Sequence, residues 1–220
     1  MNLQLDQALV ERLIAAGLIL LIALPFHEFC HALAAYRLGD ATAKLLGRLT
    51  LNPVAHFDPL GGMLLLASSL VGFGIGWAKP TPVNVSNLRG GRNGDAIVAM
   101  AGPLSNLALA AAFAIPLRYI LATGLAVPDT AVNILGYFVF INIALFLFNL
   151  LPIVPLDGSH VLFAVLPPEM AWRYRPVLTQ YGPIILLVAA FLPILPGGET
   201  VFGAVITAIG FPIFDFLVGR

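Results

Sequence analysis

Long apolar segments separated by short polar stretches dominate the hydrophobic pattern of this chain. A helix crosses a bilayer with about 20 apolar residues. Five segments are long enough, at about 10–38, 95–121, 131–151, 177–195 and 200–218. A sixth, at about 60–77, is shorter and contains five glycines. The pattern predicts an all-α polytopic membrane protein with about five to six transmembrane helices.

Composition and charge support this class. Hydrophobic residues make up 60% of the chain and charged residues only 10%, against roughly 25% charged residues in soluble domains. The formal net charge is zero, which argues against nucleic acid as a partner because such proteins carry basic surfaces. The lipid bilayer is the expected environment. With no internal repeat, we expect one domain over 1–220.

Basic residues lie on both sides of segment 60–77. Arg37, Lys44 and Arg48 precede it, and Lys79, Arg89 and Arg92 follow it. Since basic loops tend to stay in the cytoplasm, both flanks should lie on one side. This favours a re-entrant segment over one that crosses. Of the eleven basic residues, only Arg12 and Arg118 would then lie outside.

The stretch 44–57 alternates loosely between apolar and polar residues. Leu45, Leu49 and Leu51 are separated by polar positions and followed by Asn52-Pro53. Alternation with period two, bounded by turn residues, is typical of strands. The pattern predicts a short β-hairpin near the cytoplasmic surface, with an ordinary connecting loop as the alternative.

A polar cluster, His27-Glu28-Phe29-Cys30-His31, interrupts the first apolar segment. In a helix, His27 and His31 lie one turn apart on the same face, so both imidazoles can reach one metal ion. Glu28 lies beside them, where a general base is needed. Ionisable residues inside a bilayer are costly and mark functional sites. The cluster therefore indicates a zinc hydrolase within the membrane.

Catalytic zinc has three protein ligands, and Asp157 is the outstanding candidate for the third. It follows an apolar helix that Pro152 and Pro155 interrupt, because proline removes a backbone donor. Gly158 permits a sharp turn directly after it. Such a break can direct a carboxylate towards a neighbouring helix. A helix-capping carboxylate is the alternative, but the two histidines favour the ligand.

Three further polar residues have weaker assignments. His56 could support or gate the site, although a loop histidine with local hydrogen bonds is favoured. His160 could orient a ligand or be a neutral buried histidine. Asn106 is expected to bond across helices rather than to contact substrate.

Taken in order, these motifs resemble the site-2 protease family of intramembrane zinc metalloproteases, peptidase family M50. The likeness covers about residues 20–165 and depends on three motifs: His27 to His31, the Ala-Gly-Pro-Leu-Ser-Asn stretch 101–106, and the Asn-x-x-Pro-x-x-Pro-x-Asp-Gly stretch 149–158. Segments 52–61 and 76–84 are similar to the compact bacterial branch. The chain has no room for the PDZ domain of some relatives, so a core-only member is expected.

The resemblance implies a role for each matching residue. His27, His31 and Asp157 would bind one Zn²⁺ per chain, Glu28 would be the catalytic base, and Asn149 would help to polarise the substrate carbonyl. The catalytic core would occupy about 8–166, followed by two C-terminal helices at about 175–218.

The resemblance also implies a substrate and a location. A transmembrane protein would be cleaved in or near its membrane segment, as in regulated intramembrane proteolysis. The enzyme would be a multi-pass protein of the bacterial inner membrane, with its active site towards the cytoplasm. The oligomeric state is left open.

Two alternatives stay open at this point. Another membrane zinc hydrolase, such as a prenyl-protein peptidase, would share the histidine core but not the stretch 149–158. A non-enzymatic metal carrier would use the His and Asp side chains as a transit site. Glu28 directly beside His27, and the few other polar residues along a path, count against the carrier.

Overall fold

The fold is mostly helical in the computed structural model, which describes residues 7–70 and 76–219. The helices are α1 (Gln7–Leu18), α2 (Leu24–Arg37), α3 (Thr42–Leu45), α4 (Pro53–His56), α5 (Pro59–Leu70), α6 (Arg92–Thr123), α7 (Asp129–Asn149), α8 (Asp157–Val165), α9 (Pro168–Phe191), α10 (Val201–Val205) and α11 (Phe211–Val218). Two π-helical turns, Ile19–Ala23 and Ile206–Gly210, join α1 to α2 and α10 to α11.

Four helical units in the described ranges are long and apolar enough to cross a membrane. They are Leu9–Arg37, Arg92–Thr123, Asp129–Asn149 and Val201–Val218. The predicted number of five to six is therefore not confirmed. The predicted span 177–195 falls in α9, which ends at Phe191 and begins among polar residues that include Arg173 and Arg175. Its apolar part is too short to cross by itself.

The predicted re-entrant segment 60–77 is not supported. Most of it is α5, a regular helix of 12 residues. Residues 71–75 lie outside the described part of the chain. Beyond them, a Cβ on Gly61 would lie 2.1 Å from the Trp77 carbonyl oxygen, and the Lys79 amide donates to the His56 carbonyl at 2.8 Å. The observed element is a short helix against which residues 76–79 pack.

The predicted β-hairpin at 44–57 is wrong. This stretch contains the end of α3, a connecting turn and all of α4. Asn52 caps α4 by accepting the Val54 amide at 3.1 Å, and Pro53 occupies its first turn, the usual preferences at a helix start. Between residues 7–70 and 76–219, β pairing is limited to one isolated bridge, Leu195 with Glu199.

Helix α6 lies at the centre of the helical packing, where it contacts α2, α7, α8 and α11. Small residues allow the neighbouring backbones to approach closely. Ala110 and Ala114 of α6 pack against Val139 and Ile143 of α7, and Val218 of α11 completes this core cluster. The middle of α6 is therefore held between the helix that carries both histidines and α7.

Candidate metal centre

Two histidines of α2 and one carboxylate of α8 converge on one point. The Nε2 atoms of His27 and His31 lie 3.0 Å apart, and each lies 3.3 Å from Oδ2 of Asp157. Both histidines are buried, with 6% and 7% of their surface exposed. In the described part of the chain, this is the one group of three or more His, Cys, Asp or Glu side chains that could hold a metal ion.

Local sequence explains how these elements present their side chains. His27 and His31 are one helical turn apart, and their rings meet edge to face with centroids 4.6 Å apart. Asp157 is the first residue of α8, and the preceding Leu156 makes no side-chain cap bond. The helix dipole favours a carboxylate at this position. The position at the helix start fits the capping alternative, while Oδ2 of Asp157 faces both imidazoles, as the ligand prediction requires.

The backbone of helix α6 lies directly against both histidines. A Cβ at Gly102 would lie 2.2 Å from Nε2 of His31 and 2.6 Å from Nε2 of His27, far inside van der Waals contact. Only a residue without a side chain allows the imidazoles to lie against this backbone. This close approach explains why position 102, within the stretch 101–106, is a glycine.

The second ring nitrogen of each histidine is also bonded. His31 Nδ1 lies 2.7 Å from the Val98 carbonyl oxygen, and His27 Nδ1 lies 2.6 Å from Oδ1 of Asn106. A carbonyl oxygen can only accept, so Nδ1 of His31 carries the proton and its Nε2 presents a lone pair. Bonds of this kind fix the orientation of metal-binding imidazoles.

The donor set fits a tetrahedral zinc ion. Ligand atoms about 2.0–2.1 Å from a tetrahedral metal lie roughly 3.3 Å from one another, close to the observed separations of 3.0 and 3.3 Å. The Oδ2 atom of Asp157 is buried and receives no hydrogen bond. Two imidazole nitrogens and an orphaned carboxylate oxygen facing one another match the ligands of catalytic zinc.

Glu28 lies on α2 beside the metal-binding candidates and is held by a different segment. Its Oε2 accepts the backbone N–H of Thr81 at 2.7 Å. The Thr81 hydroxyl donates to the Glu28 backbone carbonyl at 2.9 Å. The segment 76–84 is thus tied to α2 at the position of the expected base.

The other polar residues singled out in the sequence have varied environments. Asn149 ends α7, and its amide donates to the Leu145 carbonyl at 2.9 Å. His56 bonds to the Thr50 carbonyl at 2.8 Å, so the expected local bond is present, although the ring is 1% exposed and not on the surface.

His160 lies at the surface of the structure and is not the buried histidine of the alternative. It is exposed, and its Nδ1 lies 2.9 Å from Oδ2 of Asp95 on α6. This bond raises the pKa of His160, against a smaller lowering by burial. The pair links the first turns of α8 to the start of α6 and so helps to place Asp157.

Sequence reasoning missed one residue that contacts this site and one that is connected to it through Asn106. Thr81 lies within the segment 76–84, but its bonds to Glu28 have no signature in the sequence. Asn142 is completely buried in α7 and bonds to Asn106 at 3.1 Å. A polar residue in the middle of an apolar helix is the signal that could have found it.

Comparison with known proteins places the chain among zinc metalloproteases. Residues 119–195 match the model of the family described as Peptidase family M50. The protein named "Putative zinc metalloprotease YwhC" of Bacillus subtilis (strain 168) is 40% identical over 182 residues, covering 80% of this chain and 79% of the relative.

Mycobacterial proteins are also similar. "Putative zinc metalloprotease Rip2" of Mycolicibacterium smegmatis is 33% identical over 175 residues, covering 80% of this chain and 66% of the relative. "Putative zinc metalloprotease Rip3" of Mycobacterium tuberculosis (strain H37Rv) is 30% identical over 218 residues, covering 94% of this chain and 46% of the relative. No solved structure gives a significant match.

Proposed function

Because this chain belongs to peptidase family M50, we propose that it is a membrane-embedded zinc metalloprotease that cleaves peptide bonds in or near transmembrane segments of other proteins. The family membership follows from the 40% identity to YwhC over most of both chains. The observation that carries the proposal is the convergence of His27, His31 and Asp157 within a bundle of membrane-spanning helices.

His27, His31 and Asp157 are proposed to hold one Zn²⁺ ion per chain. Their Nε2 and Oδ2 atoms face one another, and the Nδ1 atoms of the two histidines form hydrogen bonds to other groups on the side facing away from the centre. When bound there, zinc supplies a Lewis acid that stabilises negative charge developing on the substrate carbonyl oxygen. The words "zinc metalloprotease" in the names of the relatives support this choice of metal.

Glu28 is proposed to be the general base. Its carboxylate accepts a proton from the attacking water as the water oxygen bonds to the carbonyl carbon, and returns the proton to the amide nitrogen as the C–N bond breaks. The Thr81 amide, 2.7 Å from Oε2, holds the carboxylate in one orientation. A fixed base loses less entropy on reaching the transition state.

Asn149 is proposed to act on the substrate rather than on the metal. One N–H of its side-chain amide donates to the Leu145 carbonyl, which fixes the plane of the amide. The group has a second hydrogen, and we propose that it donates to the substrate carbonyl oxygen. This donor would stabilise charge that develops only during the reaction.

The substrate is proposed to be a transmembrane protein that unwinds locally before cleavage, since a helix hides its carbonyl groups in backbone bonds. Segment 76–84 is the element suited to receive it. The segment has no helix or strand before Val85, and its Thr81 contacts Glu28. Its backbone carbonyl groups can accept hydrogen bonds from the N–H groups of an extended peptide, which compensates in part for the bonds that unwinding breaks.

The active site is proposed to lie towards the cytoplasm of a bacterial inner membrane. Two basic clusters meet at one end of the bundle, because the Arg89 guanidinium donates to the carbonyls of Arg37 and Leu38. Basic residues concentrate on the cytoplasmic side. Oligomeric state plays no part in this proposal.

Glu28→Gln tests the proposed function. We expect the variant to bind zinc as the wild type does while kcat falls by roughly 10²–10⁴-fold, since general-base catalysis contributes about that much. Zinc content of the purified full chain and cleavage of a single-pass substrate are the two measurements. The substrate is found by comparing membrane proteomes, as a full-length protein that accumulates only with the variant.

The matched control is Glu169→Gln, an exposed glutamate at the start of α9. It removes the same charge at a distant position and should leave cleavage unchanged. If Glu28→Gln cleaves the substrate as fast as the wild type does, the proposal that Glu28 is the general base is rejected.

A further inference from the structure

A chain of buried hydrogen bonds runs from His27 across three helices. His27 Nδ1 on α2 lies 2.6 Å from Oδ1 of Asn106 on α6. The Asn106 Nδ2 atom donates to Oδ1 of Asn142 on α7 at 3.1 Å. The Asn142 Nδ2 atom donates to the Phe138 carbonyl at 2.8 Å. Both asparagines are 0% exposed.

The last acceptor in this series of hydrogen bonds determines the orientation of both asparagine amides. The Phe138 carbonyl can only accept, so the Asn142 amide must direct its NH₂ there and its oxygen towards Asn106. Asn106 must then direct its own NH₂ to Asn142 and its oxygen to His27. An acceptor beside Nδ1 of His27 requires the proton to lie on Nδ1. Nε2 therefore presents its lone pair towards Asp157.

The two histidines differ in how their orientation is maintained. His31 donates to the Val98 backbone carbonyl, which belongs to α6 and cannot turn around. His27 depends on a side-chain amide, and an amide can rotate by half a turn to present NH₂ instead of oxygen. In that orientation Nδ1 would have to accept, and the ring proton would point into the metal position.

We propose that Asn106 and Asn142 are positioning residues that together select the metal-binding tautomer of His27. The proposal rests on the proposed function, because it concerns the affinity of the same centre for zinc. Asn106 supplies the acceptor, and Asn142 prevents the Asn106 amide from turning around. The desolvated position strengthens this control, because neither amide can exchange its partner for water.

Zinc affinity of the purified full chain tests the proposal, measured by competition with a chromophoric chelator. We expect Asn106→Leu and Asn142→Leu each to raise the zinc dissociation constant about 10–100-fold, the usual cost of losing an orienting partner. Asn142→Asp, protonated at this buried position, can still donate to the Phe138 carbonyl and accept from Asn106, and should keep an affinity close to that of the wild type. Leucine has a similar size, which limits changes in packing.

Asn133→Leu is the matched control. Asn133 lies on the same helix α7 and donates to Glu11 of α1 at 3.2 Å, so the variant also removes a polar contact between helices. A purely structural role of Asn106 and Asn142 predicts that their leucine variants lower the thermal unfolding temperature but, like Asn133→Leu, leave the zinc affinity unchanged. If Asn106→Leu does not fold, Asn142→Leu, which leaves the Asn106 side chain intact, decides the question together with Asn142→Asp.

Wild-type zinc affinity in folded Asn142→Leu protein would overturn the positioning role of the two asparagines but leave the proposed function intact. Equal loss of affinity in Asn142→Leu and Asn142→Asp would also overturn it, because the acceptor would then not matter. Failure of the wild-type protein to bind zinc would instead overturn both proposals.

Discussion

At the residue scale, Asp40 anchors the turn after α2 to the segment that precedes α6. It is completely buried. Its Oδ1 accepts the Thr42 hydroxyl at 2.5 Å and the Asn87 amide at 3.0 Å, and its Oδ2 accepts the Asn84 backbone N–H at 2.7 Å. Burial by itself raises the pKa of Asp40, but these bonds to the charged form outweigh it and hold the pKa below its usual value.

A lowered pKa makes the stability contribution of Asp40 dependent on pH. The contribution is present above the unfolded pKa, near about 3.9, and is lost as the pH falls through the folded value. We expect Asp40→Asn to lower the free energy of unfolding at pH 7 by about 1–3 kcal/mol. The difference from the wild type should shrink below about pH 4.

Thermal unfolding of both proteins in one detergent, at pH 7 and near pH 3, measures this dependence. Asp129→Asn, at an exposed position in α7, is the control, and its unfolding temperature should differ little from that of the wild type. If Asp40→Asn lowers the stability equally at both pH values, the stabilising role of the Asp40 charge is contradicted.

Single residues differ in how far local sequence could predict them. The spacing of His27 and His31 needs only one helix, so their shared face was predictable. Asn106 was expected to bond across helices, and it does so with Asn142 and His27. The Thr81 contact joins residues 53 positions apart, and no local pattern encodes such a pairing. The catalytic roles themselves stay predictions until the variants are measured.

At the scale of elements, α6 determines how closely the histidine helix can approach. The backbone at Gly102 lies against both imidazoles, so any side chain there would displace them. We expect Gly102→Ala to weaken zinc binding at least about tenfold, because a metal site tolerates little displacement of its ligands. Zinc content after dialysis against a weak chelator is the measurement.

Gly136→Ala provides the comparison for this element. Gly136 lies within α7, and a Cβ there would meet nothing within 4 Å. Alanine favours the helix over glycine by roughly 1 kcal/mol, so this variant should be slightly stabilised and keep its zinc. Unchanged zinc binding in Gly102→Ala would show that α6 does not restrain the histidines in this way.

The elements that were predicted wrongly share a physical cause. Short helices with intervening turns can imitate a period of two, so Leu45 and Leu51 suggested a strand, although Leu45 ends α3, Leu51 precedes α4 and both are exposed. The span at 177–195 was inferred from apolar composition alone, whereas the helix boundary at Phe191 shortens its apolar part. Long, strongly apolar helices such as α6 and α7 were predictable, because hydropathy and length agree there.

At the scale of the whole molecule, the chain is an integral membrane protein with its basic clusters at one end of the helical bundle. The proposed orientation makes a direct prediction for thiol labelling in spheroplasts. In a Cys30→Ala background, Ser86→Cys should react only with a membrane-permeant reagent. Ala126→Cys, in the connection between α6 and α7, should react with an impermeant one.

Both positions are exposed in the structure, so a difference in labelling reports the side of the membrane rather than burial. Zinc content of the Cys30→Ala protein is measured first, since Cys30 lies between the two histidines. Labelling of Ser86→Cys by the impermeant reagent would place the active-site end outside and reverse the proposed orientation.

The sequence alone determined the membrane class and a candidate set of metal-binding side chains, because hydropathy and one-turn spacing act over short distances along the chain. It also carried the family resemblance, which the relatives confirm. Only the tertiary structure decided how α2, α6, α7 and α8 meet, and hence the hydrogen bonds from Asn142 through Asn106 to His27. Those contacts depend on the packing of helices far apart in sequence, where the distance between backbones selects which polar atoms can pair.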